Sequence, residues 1–100
     1  MLKKSISPLT SVQIRAGRAL LRWSAVDLAR EAKLGLATIR RAEIAEGITA
    51  MTIANDLAVR RALESAGVEF IDENGGGPGV RLKHPRSKAA RRGGNIPEGS

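Results

Sequence analysis

The stretch from Asp27 to Glu43 reads DLAREAKLGLATIRRAE. Leu28, Ala29 and Ala32 fall on one face of a helical pattern, and Ile39 and Ala42 take it up again further along. Lys33-Leu34-Gly35 interrupts the pattern. One unbroken helix would be packing material, whereas two short helices meeting at an angle would be a device for entering a DNA groove. Periodicity alone fits both. The spacing of helix, three-to-four-residue turn and helix is that of a helix-turn-helix. Ala29 is small, as two closely crossing helices require; Leu34 can plug the gap between them; Leu28, Ile39 and Ala42 can share one core.

Outward from this stretch, Ser24 is a strong N-cap, and Asp27 three positions on makes a capping box with Asp in place of the usual Glu. The first helix is too short to stand without packing. Gly35 is read as the break and as the cap of a second helix, Leu36 to about Ile44, with Ala37, Arg40 and Arg41 on its outer side and Gly47 as its C-terminal cap. Upstream, Thr10 or Ser11 can cap a helix reaching about Arg22, in which Ile14, Gly17 and Leu21 recur at helical spacing beside Leu20. Residues 1–9 read as a flexible basic arm. Downstream, Thr49 or Thr52 opens a helix to Ala66, stopped by Gly67; its apolar arc of Ile53, Leu57, Val59 and Leu63 is interrupted by Arg60.

At Val68 the period changes. Val68-Glu69-Phe70-Ile71 and Val80-Arg81-Leu82-Lys83 read as strands joined by the turn residues DENGGGPG, Asp72 to Gly79. A two-stranded hairpin is marginal alone in water, so this one should lie on the helices or pair across a dimer. Residues 84–100 read as a disordered basic tail. The expected fold is mainly α: a small helix-turn-helix bundle of four to five helices over 10–67, with a C-terminal β-hairpin over 68–83.

The 100 residues carry 17 Lys+Arg against 10 Asp+Glu, a net charge of +7, which points to a polyanionic partner. Residues 1–23 hold Lys3, Lys4, Arg15, Arg18 and Arg22 with no acid, 24–47 are neutral, and 84–100 carry +3. Trp23 and Phe70 are the only aromatics, which argues against modes that stack bases on aromatic platforms and leaves those that read a duplex. There is no cysteine, hence no disulfide or thiolate chemistry. No run of about 18 apolar residues is present to cross a membrane, and the first ten residues lack an apolar stretch long enough for a secretory signal.

His84 is the only histidine and, without cysteine, implies no metal site. Gly75, Gly76, Gly77 and Gly79 are followed by strand-like residues rather than the helix N-terminus a phosphate loop needs. Ser11 and Ser24 serve as caps without a nearby histidine base. No catalytic set or cofactor site is found, and an enzyme is not expected.

The segment IRAGRALLRWSAVDLAREAKLGLATIRRAE, Ile14 to Glu43, resembles the XRE (Cro/repressor-type) family of bacterial and phage transcriptional regulators. The likeness covers roughly Gln13 to Glu46 and rests on several marks together: Arg18, Trp23-Ser24, Leu28-Ala29, Thr38-Ile39 and Glu43. The following RRALESAGVEFIDENGGGPGVRL, Arg60 to Leu82, is similar to the C-terminal segment of many short members. The resemblance implies a five-helix or near-five-helix bundle whose third helix enters the major groove. It also implies an ion pair between Arg18 and Glu43, each of which sits beside the apolar stripe of its own helix. The chain departs from the pattern at Ala25, where glutamine is usual, at Lys33, where glycine is usual, and at Gly35, where Ser or Thr is usual.

The function expected is that of a sequence-specific double-stranded DNA-binding regulator, a repressor, reading the major groove with helix 36–44. Leu36 and Ala37 can meet only a thymine methyl, Thr38 can reach a base, and Arg41, one turn beyond Ala37, can pair with guanine. Lys3, Lys4, Arg15, Arg22, Ser24, Lys33 and Arg40 are the expected phosphate contacts. A homodimer on a palindromic site follows, in the cytoplasm of a bacterium and associated with the nucleoid. The alternatives are an antitoxin-type regulator that also binds a protein partner, and a protein-interaction module that has lost DNA binding; Ala25, Leu36 and Ala37 speak for the last.

Overall fold

The computed structural model describes residues 8–84. Lys3, Lys4 and the tail from Pro85 lie outside the described residues. Four helices and a hairpin follow one another: α1 (Ser11–Leu21), α2 (Ala25–Ala32), α3 (Leu36–Ile44), α4 (Ile53–Ser65), β1 (Val68–Ile71) and β2 (Gly79–Leu82). No helix among the described residues is long and apolar enough to cross a membrane.

Both breaks in the first half have the same construction. At the end of α1, Arg22 sits in the left-handed region (φ 60°), Trp23 N–H donates to the Arg18 carbonyl and Arg22 N–H to that of Ala19. At the end of α2, Lys33 does the same (φ 60°), with Leu34 N–H to the Ala29 carbonyl and Lys33 N–H to that of Arg30. Each is a Schellman closure, and the residue after the left-handed one, Trp23 or Leu34, folds back onto the core. The stretch from Asp27 to Glu43 is therefore two helices. The residue that breaks it is Lys33, not Gly35. Gly35 has ordinary extended angles (φ −70°, ψ 148°), and a Cβ placed there meets no atom within 4 Å.

The caps are local. Thr10 and Gln13 form a reciprocal box at the head of α1, and Ser24 and Asp27 at the head of α2. Thr52 caps α4 by accepting from Asn55 N–H. α3 has no side-chain cap, and it ends on Ala45 in extended conformation. Gly47 is not its C-terminal cap: its carbonyl accepts from Ser11 N–H at 2.9 Å, beside an isolated bridge between Thr10 and Ile48.

The core is one cluster built on Leu9, Ile14, Leu28, Ile39, Val59, Leu63 and Val68. Full burial of such a side chain is worth roughly 1.5–3 kcal/mol, so this cluster holds the bundle together. Leu9 belongs to it at 0 % exposure, so the arm ends before it; its N–H donates to Asp56 Oδ2 at 3.3 Å. Gly17 lets α1 approach α4, since a Cβ there would stand 3.3 Å from Leu63 Cδ1. Ile53, placed by its spacing in the apolar arc of α4, is instead 80 % exposed, because the buried face of that helix starts a turn and a half later at Val59.

The strands pair antiparallel, Val68 with Leu82 and Phe70 with Val80; β2 starts one residue earlier than the sequence suggests, at Gly79 opposite Ile71. The hairpin lies on the helices, and one buried side chain fastens it: Gln13 Nε2 donates to the Gly79 carbonyl at 3.1 Å and to that of Ile71 at 3.5 Å.

Candidate nucleic-acid interface

α3 buries Ile39, Ala42 and Glu43 and turns Ala37, Arg40 and Arg41 outward. Leu36 is half-buried and packs in part on the core, so little of its side chain is left for a groove; Thr38 is half-exposed. Arg15, Arg22, Ser24 and Lys33 are all exposed.

The position of α3 against α1 is held by Arg18. Its Nε donates to Glu43 Oε2 at 2.7 Å and its Nη2 to Glu43 Oε1 at 2.9 Å, while Nη1 donates to the Trp23 carbonyl at 2.9 Å. One guanidinium thus joins α1, the start of the α1–α2 turn and α3. Planar two-point pairing suits a guanidinium and a carboxylate, and here both lie largely out of water, Arg18 at 22 % and Glu43 at 9 % exposure. The hydrogen bonds to Glu43 push the Arg18 pKa up, against the effect of burial. At the head of α2, the Ser24 N–H holds the Asp27 carboxyl below the usual carboxylate range, and Arg30 works in the same direction.

These pairs leave an uneven balance. α1, α2 and α3 contain three acids, Asp27, Glu31 and Glu43, and each is paired, the first two with Arg30 and the third with Arg18. Arg15, Arg22, Lys33, Arg40 and Arg41 take part in no ion pair among the described residues. Their fields add rather than cancel, which is the electrostatic footprint of a surface for a polyanion. Two of them, Arg22 and Lys33, occupy left-handed positions where glycine would be easier by roughly 1 kcal/mol or more. A cation at a helix C-terminus recovers part of that through the helix dipole.

An open groove between α1 and α3 brings Arg15 together with Ala37, Arg40 and Arg41. A second depression places Thr38 and Arg41 beside Met51 and Asn55. The groove also contains Val12 and Ile44, 58 % and 79 % exposed, neither of which the sequence marks as a site residue. The signal for them was present but weak: each is an aliphatic residue off the apolar stripe of its helix. Among the described residues no group of three or more His, Asp or Glu side chains is placed to hold a metal ion.

No protein-family model matches this chain, and no curated protein matches it.

Proposed function

We propose that this protein is a sequence-specific double-stranded DNA-binding regulator of the XRE (Cro/repressor) type, working at the bacterial nucleoid in the cytoplasm. In this reading α3 lies in the major groove. Arg41 makes the two-point contact to guanine O6 and N7, Thr38 reaches a neighbouring base edge, and the Ala37 methyl meets a thymine methyl one turn before. Arg15, Arg22, Ser24, Lys33 and Arg40 bind phosphate, joined by Lys3 and Lys4. Two copies on a palindrome combine two thin half-site contacts into one specific one.

One observation carries the reading: every acid of α1, α2 and α3 is paired, while five cations on α1, on α3 and at the turns that close α1 and α2 are not. Keeping lysine and arginine in left-handed positions supports it, because the charge is retained where the backbone favours glycine. The test is a gel shift of the full chain on DNA from its own upstream region, with salt titration. With about five phosphates neutralised, log K falls against log salt with a slope near −4.5. A slope near zero, or no shift at low salt, overturns the reading.

A second reading, a regulator that also binds a protein partner, is favoured by the exposed aliphatic side chains Val12, Ile44, Ile48 and Ile53, for which DNA has little use.

A further inference from the structure

The groove between α1 and α3 combines two chemistries. Arg15, Arg40 and Arg41 line it without an ion-pair partner among the described residues, and Val12, Ala37 and Ile44 lie between them. Of the two carboxylates that reach it, Glu43 is taken by Arg18, and Glu46 stands at the end beyond α3. Three cations therefore face one free acid. A nucleic-acid backbone answers the cations but sets charged phosphate against Val12 and Ile44. A phosphate pressed against an apolar surface gives up hydration and gains no hydrogen bond or countercharge there.

We propose that this groove docks an acidic protein segment, whose carboxylates pair with Arg15, Arg40 and Arg41 and whose aliphatic side chains cover Val12 and Ile44. Charge complementarity selects the occupant: the partner needs carboxylates for the arginines and hydrocarbon for the isoleucine and valine, and an amphipathic acidic helix offers both at the spacing of one helical turn. Ala37 leaves room for the segment to approach the α3 backbone. Arg40 and Arg41 are also the arginines assigned to DNA above, so partner and duplex exclude each other; this last consequence rests on the DNA reading, and the docking does not.

The experiment uses the full chain and three fluorescein-labelled helical peptides of about 15 residues. One carries Glu and Leu at helical spacing, one has every Leu replaced by Ala, and one has every Glu replaced by Gln. Anisotropy is read at about 0.15 M salt, where loose charge attraction is screened. The Glu/Leu peptide binds, and either replacement weakens binding at least about tenfold. The Val12→Ser/Ile44→Ser variant, altered only at exposed positions, loses about fivefold or more with an unchanged melting temperature. Val26→Ser, half-exposed on α2 and outside the groove, changes nothing.

The proposal is overturned if the Glu/Ala peptide binds as well as the Glu/Leu peptide, if the Val12/Ile44 variant is unaffected, or if no peptide binds at about 1 mM. It is also overturned if phosphatidylserine vesicles bind the chain through Val12 and Ile44 and the peptides do not. Peptide binding without any DNA shift sinks the DNA reading and leaves the docking. A DNA shift that the bound peptide does not displace sinks the shared face and leaves the DNA reading.

Discussion

The tripeptide Arg-Arg-Ala occurs twice, at 40–42 in α3 and at 60–62 in α4, and the first arginine of each copy meets the opposite fate, while Arg61 is exposed like Arg41. In α3 both arginines stand in water without an ion-pair partner among the described residues, and the alanine is buried. In α4, Arg60 is folded in at 12 % exposure, with its guanidinium 4.7 Å from the centre of the Phe70 ring and 3.8 Å from Glu64. Arg81 on the hairpin is likewise committed, to Glu69 at 3.1 Å. In the C-terminal half Arg60 ties helix to hairpin and Arg81 ties strand to strand, while Arg61 and Lys83 take part in no ion pair among the described residues; in the N-terminal half Arg18 and Arg30 are paired and Arg15, Arg22, Lys33, Arg40 and Arg41 are not. Net charge does not identify a binding surface, therefore. The proposed surface rests instead on where charge without an ion-pair partner gathers.

The largest expected effect separates the two copies. Arg40→Ala with Arg41→Ala lowers affinity for a specific duplex by about 100-fold or more, from one two-point base contact and one phosphate contact, with the melting temperature unchanged. Gel shifts beside thermal melts check it, and equal loss of binding from Arg60→Ala shows that Arg40 and Arg41 have no special part in it. Next, Arg18→Ala leaves the Glu43 carboxylate buried without its cation and destabilises the fold by about 2–3 kcal/mol, read by urea unfolding. Removing both charges together, Arg18→Met with Glu43→Gln, recovers most of this. A loss within about 0.5 kcal/mol for Arg18→Ala shows that the pair holds nothing.

Arg60→Ala removes a cation from the Phe70 ring together with its packed stem, and destabilises by about 1–2 kcal/mol while DNA affinity stays as it was. Lys33→Gly sharpens the contrast in the other direction. Glycine relieves the left-handed strain and raises stability by about 0.5–1 kcal/mol, yet loses one phosphate contact, so the salt slope shallows by about 0.9. Stability and binding moving oppositely at one residue is the expected mark of a site. The smallest effect is at Asp27. Its folded pKa is depressed, so its contribution is present above the ordinary carboxylate pKa and is lost as pH falls through the folded value. Asp27→Asn therefore melts slightly below the parent at neutral pH, and the gap closes below about pH 4.

Much of the first half was legible because its signals act over a few residues. The Ser24–Asp27 box and the apolar positions Leu28, Ala29, Ile39 and Ala42 sit within one or two turns of what they determine. The misreadings share a cause. Gly35 looked like the break because glycine is the usual sign of a left-handed residue, and a lysine in that conformation leaves no mark in the sequence. Leu9 looked like part of an arm because it follows Ser-Pro in a polar stretch, and its burial depends on a core partner and on Asp56, 47 positions away. Gln13 was not singled out in the sequence, since its hold on the hairpin joins residues 66 apart.

Residue order alone places the ends of most helices and strands, to within a residue or two, and shows that the chain is strongly basic. Both follow from interactions between near neighbours or from simple counting. Which of the cations without a near acid are consumed is settled by packing. Arg18 finds Glu43 at a separation of 25, and Arg60 finds Phe70 only after α4 and the hairpin have packed. Near neighbours along the chain account for Arg30, between Asp27 and Glu31, but Arg18 is neutralised only by what the fold brings within a few ångströms of it.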